Sequence, residues 1–91
     1  MIAAPRVLLQ DLDGEAVLLN LANGYYYGLD EISFRMYTLL VNSESVHAAY
    51  EQLLEEYDVA PGELQRDLTK LLQHLLDHGL VVRADERPHQ A

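Results

Sequence analysis

Apolar and polar residues alternate through the first third of the chain and recur at helical spacing through most of the rest. From Val7 to Leu29 this predicts three short strands. Val7, Leu8 and Leu9 run into Asp11-Leu12-Asp13-Gly14, whose Asp-Gly pair is a strong tight-turn signal between apolar runs. In the second run Val17, Leu19 and Leu21 fall on one face and Ala16, Leu18 and Asn20 on the other, by the two-residue period of a strand. Asn23-Gly24, two residues that tolerate positive φ, turns the chain again into Tyr25-Tyr26-Tyr27-Gly28-Leu29.

Asp30 is placed to cap a helix from Glu31 to about Val41, with Ile32, Met36, Leu39 and Leu40 at helical spacing and Phe34 and Tyr37 beside them. Asn42-Ser43-Glu44-Ser45 breaks the run. Ser45 then caps a second helix whose Val46, Ala49, Tyr50, Leu53, Leu54 and Tyr57 make the cleanest amphipathic series in the chain. Pro61 suits the first turn of a third helix, which carries Leu64, Leu68, Leu71, Leu72, Leu75 and Leu76 and stops at Gly79. Leu80-Val81-Val82 is expected to return to the sheet, and residues 83–91 read as a flexible tail. The expected fold is α+β: a winged helix-turn-helix in which a three-stranded antiparallel sheet precedes three helices. No repeat or linker divides residues 1–91, so one domain is expected.

Composition narrows the function. The chain has 91 residues, and at that length about 60–65% of the unfolded surface can be buried, enough for one core and not for a separate catalytic lobe. Fifteen acidic against six basic side chains give a formal charge of -9, which repels nucleic acid and anionic membranes and suits a basic or neutral peptide. The same acidity also serves plain solubility. Absence of cysteine removes disulfides, thiolate metal sites and cysteine nucleophiles together. The apolar runs are too short to span a bilayer, and Met-Ile-Ala-Ala-Pro-Arg lacks the basic start and apolar stretch of a secretory signal, which makes the cytoplasm the expected compartment.

The element order, together with Gly24-Tyr25-Tyr26-Tyr27-Gly28-Leu29-Asp30, resembles the PqqD-like family, winged-helix peptide chaperones also called RiPP recognition elements. Further matching features are the apolar strand Val17 to Leu21, Tyr37 with Leu39 and Leu40, the helix from Val46 to Tyr57, and Asp67-Leu68 through Gly79-Leu80-Val81. The likeness covers about residues 7–82. It departs at Tyr37, where Trp is common, and at Asn42-Ser43-Glu44-Ser45, which replaces an Asp-Gly-containing link. The resemblance implies that an extended leader peptide pairs with the third strand at an open edge while its side chains enter a groove against the third helix. It further implies a non-catalytic protein without cofactor or metal, monomeric or weakly dimeric, that presents a precursor peptide to a leader peptidase and other modifying enzymes of the lasso-peptide type. A chaperone of pyrroloquinoline quinone assembly ranks second within the family.

On this reading the leader-binding residues are Tyr25, Tyr26, Tyr27, Gly28, Leu29, Asp67, Lys70, Leu71 and His74. Strand alternation puts Tyr25, Tyr27 and Leu29 on the core face and leaves Tyr26 and Gly28 on the other. Packing alone also explains aromatics on a strand, and Gly28 is either a close-approach position or a bulge glycine. On the third helix Asp67, Lys70, His74 and His78 share one flank, where a merely solvated stripe is the plainer alternative. His74 and His78 are four apart, but His-Leu-Leu-Asp-His has no Glu after the first His and so lacks the zincin general base. No nucleophile elbow, phosphate loop or catalytic triad is visible.

Two other function classes share this element pattern. A winged-helix DNA binder needs Arg, Lys, Asn or Gln on its recognition helix. The third helix offers Arg66, Lys70 and Gln73 against Glu63, Asp67 and Asp77, and the second has Glu51, Glu55 and Glu56 with no Lys or Arg. A structural adaptor would use the same open edge for self-pairing.

Overall fold

The structure, a computed structural model, describes residues 1–83; of the tail expected over 83–91, all but Arg83 lies outside the described residues. The elements are β1 (Ile2–Ala3), β2 (Val7–Leu12), β3 (Glu15–Asn20), β4 (Tyr26–Leu29), α1 (Glu31–Asn42), α2 (Val46–Glu56), α3 (Pro61–Asp77) and β5 (Val81–Val82). Strands β2, β3 and β4 form an antiparallel sheet in that order, followed by three helices, which is the α+β winged-helix arrangement expected.

Turn chemistry sets the sheet. Asp13 and Gly14 both have positive φ, 64° and 95°, and join Leu12 to its partner Glu15, as a two-residue hairpin turn demands. The second turn differs from expectation at Asn23. Among the described residues Asp13 is the only non-glycine with positive φ, so Gly24 alone takes that conformation, at 75°. Asn23 contributes its side chain instead, Oδ1 accepting from the Tyr25 N–H at 2.9 Å, an Asx-type turn that leaves the backbone unstrained.

Helix ends follow the sequence closely. Asp30 Oδ1 accepts from the Ser33 N–H at 2.8 Å, and Ser45 Oγ from the Ala48 N–H at 3.0 Å. Pro61 opens α3, and Gly79 ends it at φ 67° with the Leu80 N–H donating to the Leu75 carbonyl and the Gly79 N–H to that of Leu76, a Schellman closure. Asn20 then ties this end to the sheet: its buried amide donates to the carbonyls of His78 and Gly79 at 3.1 and 3.2 Å while its Oδ1 accepts from Ala22.

The core lies between the inner sheet face and the helices. Ala16, Leu18 and Leu29 meet Met36, Tyr37 and Leu40 of α1, Ala49 and Leu53 of α2, and the leucine row Leu64, Leu68, Leu71 and Leu75 of α3. The return of Leu80-Val81-Val82 to the main sheet does not occur. Val81 and Val82 pair instead with Ala3 and Ile2, so β1 and β5 make a separate two-stranded ribbon. The Schellman turn releases the chain beside the N-terminal segment, where the Ala4 N–H reaches the Leu80 carbonyl at 3.1 Å, and among the described residues no strand pairs with the outer edge of β4.

Candidate functional site

The accessible edge of β4 is defined by hydrogen-bond parity. The Asn20 N–H donates to the Tyr25 carbonyl at 2.8 Å, so this pair is of the hydrogen-bonded kind in the β3–β4 ladder. Antiparallel pairs alternate, so Leu18↔Tyr27 and Ala16↔Leu29 are also hydrogen-bonded, while Leu19↔Tyr26 and Val17↔Gly28 are not. The β2–β3 ladder agrees: the Leu21 N–H donates to Arg6, which turns the main-chain groups of Leu19 and Val17 toward β2. Tyr26 and Gly28 therefore aim their N–H and C=O groups away from the sheet, along an edge with no neighbouring strand among the described residues. An extended chain laid there would find a ladder ready to accept it.

Side chains divide by the same alternation. Tyr26 stands on the outer face, 72% exposed, with Gly28 beside it. Tyr25 and Tyr27 lie half-buried on the inner side, as expected. They form a ring cluster with α3: the Tyr25 hydroxyl and His74 Nε2 are joined by a hydrogen bond of 2.8 Å, Tyr25 stacks on His78 at 4.0 Å and 3°, and Tyr27 stacks on His74 at 4.1 Å. The two imidazoles are themselves 4.3 Å apart. This cluster fixes how close the strand sits to the helix.

Below it runs a cleft of about 460 Å³ between β4, the first turn of α1 and α3. Tyr27, Ile32, Met36 and Leu71 give it apolar surface, and Asp30, Asp67, Lys70 and His74 give it polar surface. Four of the residues expected at the leader site, Asp67, Lys70, Leu71 and His74, thus line one cavity with Tyr27. Leu29 is placed differently. Its side chain is in the core and its main-chain groups face Ala16, so it presents neither to the edge nor to the cleft. Among the described residues no group of three or more His, Asp or Glu side chains gathers as a metal site, and no helix is long and apolar enough to cross a membrane.

Ile32, Met36, Asp30 and His78 also shape this region and are not among the residues expected to bind the leader, although His78 is placed on the α3 flank and Asp30 at the helix cap. The available signal is the immediate succession of strand and capped helix, Leu29-Asp30-Glu31, which forces the first turn of α1 to lie against the end of β4.

The sequence pattern of the family described as coenzyme PQQ synthesis protein D (PqqD) matches residues 15–81, from the start of β3 into β5. The chain belongs to the PqqD family. The match takes in the β4 edge, the cleft and the ring cluster. No curated protein matches this PqqD-family chain. Two solved structures do. TbiB1 in complex with the TbiA(beta) leader peptide is 31% identical, with a TM-score of 0.80 over 93% of this chain and all of that one. A lasso peptide synthetase B1 complexed with the leader peptide is 23% identical, with a TM-score of 0.77 over 89% of this chain and 95% of that one, and shares the fold.

Proposed function

We propose that the chain is a non-catalytic recognition element that captures the leader segment of a precursor peptide by strand addition at β4 and presents it to a leader peptidase and other modifying enzymes of a lasso-peptide pathway. The observation that carries this reading is the open edge at Tyr26 and Gly28 directly above a mixed apolar and charged cleft. Main-chain bonds along the edge supply affinity for any extended segment, and side chains that alternate into the cleft supply selectivity. TbiB1, with which the chain shares 31% identity, is a protein bound to a leader peptide.

The charge of -9 favours a neutral or basic peptide over nucleic acid, and a soluble cytoplasmic protein acting as monomer or weak dimer suits the role. Asp67, Lys70, Leu71 and His74 are assigned to the groove, Tyr26 and Gly28 to the ladder, and Tyr25 and Tyr27 to its inner wall. The description of the matching family favours one second reading, a peptide chaperone of pyrroloquinoline quinone assembly, which would use the same edge for a different peptide. Fluorescence anisotropy with the TbiA(beta) leader, with precursor peptides encoded near this chain's gene and with duplex DNA is the test. Saturable peptide binding with no salt-sensitive DNA binding is expected. DNA binding that weakens steeply with salt, without peptide binding, would overturn the reading, because that slope reports phosphate neutralisation.

A further inference from the structure

Gly28 has no internal reason to be glycine. Its φ is not in the left-handed region that Gly14, Gly24 and Gly79 occupy, and a Cβ built on it meets nothing within 4 Å. Glycine in a strand loses packing and conformational stability, so its place here asks for something outside the chain that uses the space. The surroundings say what. On the outer face Gly28 lies across from Val17, with Leu19 and its partner Tyr26 one step along, and Leu8 beyond them at 55% exposure. A shallow depression lined by Leu8, Val17, Leu19 and Tyr26 continues across this face.

We infer that Gly28 opens a subsite for one aromatic or large aliphatic side chain of the captured peptide, on the face of the sheet opposite the α3 cleft. This rests on the strand-addition reading above. Main-chain groups of Gly28 point at the added strand, so the peptide residue paired with it carries its side chain to the same outer face, whichever way the peptide runs. With strands about 4.8 Å apart, that side chain has room to fold over Gly28 toward Val17, between Tyr26 and the strand end. An aromatic ring laid over an edge glycine restores the packing the glycine lacks. The peptide is thereby read on both faces: alternate residues enter the α3 cleft, and one in the opposite phase fills the gap over Gly28.

The test is a display selection of random peptides about twelve residues long, ample for one strand, against the wild-type chain and against Gly28→Leu, with circular dichroism to establish that both are folded. In the wild-type pool one position should be enriched in aromatic or large aliphatic residues. In the Gly28→Leu pool that position should turn to Gly, Ala or Ser while the others keep their preferences. Replacing the large residue by Ala in a selected peptide should weaken wild-type binding roughly tenfold and leave Gly28→Leu binding nearly unchanged. Tyr26→Ser, which removes an exposed wall of the subsite without touching the core, should erode the same preference and serves if Gly28→Leu misfolds. Identical pools from wild type and variants would overturn the subsite and leave strand addition standing. Failure of every form to select any peptide would overturn the strand-addition reading itself.

Discussion

The Tyr25 hydroxyl and His74 Nε2 lie 2.8 Å apart, across 49 residues of sequence, and this contact joins the start of the β4 edge to the middle of α3. Tyr25 also stacks flat on His78 and Tyr27 stacks on His74, so both tyrosines of the inner face end on imidazoles of one helix flank. The distance between strand and helix sets the width of the cleft. The ring cluster is therefore structural first, and it shapes the site by holding one wall in place.

Tyr25→Phe should lower stability by about 1 kcal/mol, the usual net worth of one hydrogen bond, because the stack on His78 survives. His74→Ala should cost more, about 1–3 kcal/mol, since it removes the bond and a stacking partner and leaves the Tyr25 hydroxyl without its protein partner. Urea denaturation of the two variants is the check. Equal losses would mean that the hydrogen bond alone carries the contact.

Most of the fold was legible because local chemistry and tertiary packing agree. The Asp13-Gly14 turn, the Asp30 and Ser45 caps, Pro61 and the Gly79 stop are each fixed within a few residues of sequence. The β1–β5 ribbon was not, since Ile2-Ala3 and Val81-Val82 are too short to show a period and their pairing depends on where the Schellman turn leaves the chain. At the site, alternation correctly separated Tyr26 and Gly28 from Tyr25 and Tyr27. What it could not supply was Ile32 and Met36, whose helical spacing reads equally well as core, or the role of Leu29, which is buried with its main chain turned inward.

Leu71 and Lys70 are adjacent in sequence and border the same cleft, yet they call for opposite experiments. Leu71 is only 6% exposed and belongs to the core, so Leu71→Glu should destabilise the domain by on the order of 3 kcal/mol through burial of an unpaired carboxylate. Lys70 is exposed, so Lys70→Glu should leave stability within about 0.5 kcal/mol. Its effect should fall on peptide affinity, strengthening basic leaders and weakening acidic ones. Thermal melts beside calorimetric titration of the two peptide types separate these effects, and no change in charge preference would remove Lys70 from the site.

Acid should weaken the α1–α2 contact. Arg35 Nε and Nη2 donate to the two carboxylate oxygens of Glu56 at 2.7 and 2.5 Å, and Gln52 adds a third bond. The guanidinium hydrogen bonds, then that of Gln52, hold the Glu56 carboxyl down at about 2, below its ordinary 4.5. A carboxylate depressed in the folded state stabilises above its unfolded value, and that contribution is lost as pH falls from about 4.5 through about 2. Both side chains lie at the surface and are partly exposed, so the effect should be modest and reduced by salt. Glu56→Gln should flatten the fall in stability over that window relative to wild type, measured by urea midpoints at successive pH values.

The sharpest test of strand addition uses proline at successive positions of β4. Proline removes one N–H and fixes φ, so its effect depends on where that N–H points. At Tyr26 it faces the open edge, since Leu19↔Tyr26 is a non-hydrogen-bonded pair, so proline there breaks no ladder bond to β3. At Tyr27 the N–H belongs to the Leu18 pair, and the Tyr27 ring also supports His74. Tyr26→Pro should therefore stay folded and lose leader binding by more than about tenfold, because the added strand forfeits a ladder bond and meets the proline ring where it would lie closest. Tyr27→Pro should lose cooperative folding along with binding. Gly28→Pro repeats the edge test two residues on and should resemble Tyr26→Pro. Circular dichroism and calorimetry on all three give a fold-and-binding pattern that alternates with residue number. Leader affinity unchanged in folded Tyr26→Pro and Gly28→Pro would exclude main-chain pairing at this edge, and a peptide that still bound would have to be held by the α3 cleft through its side chains alone.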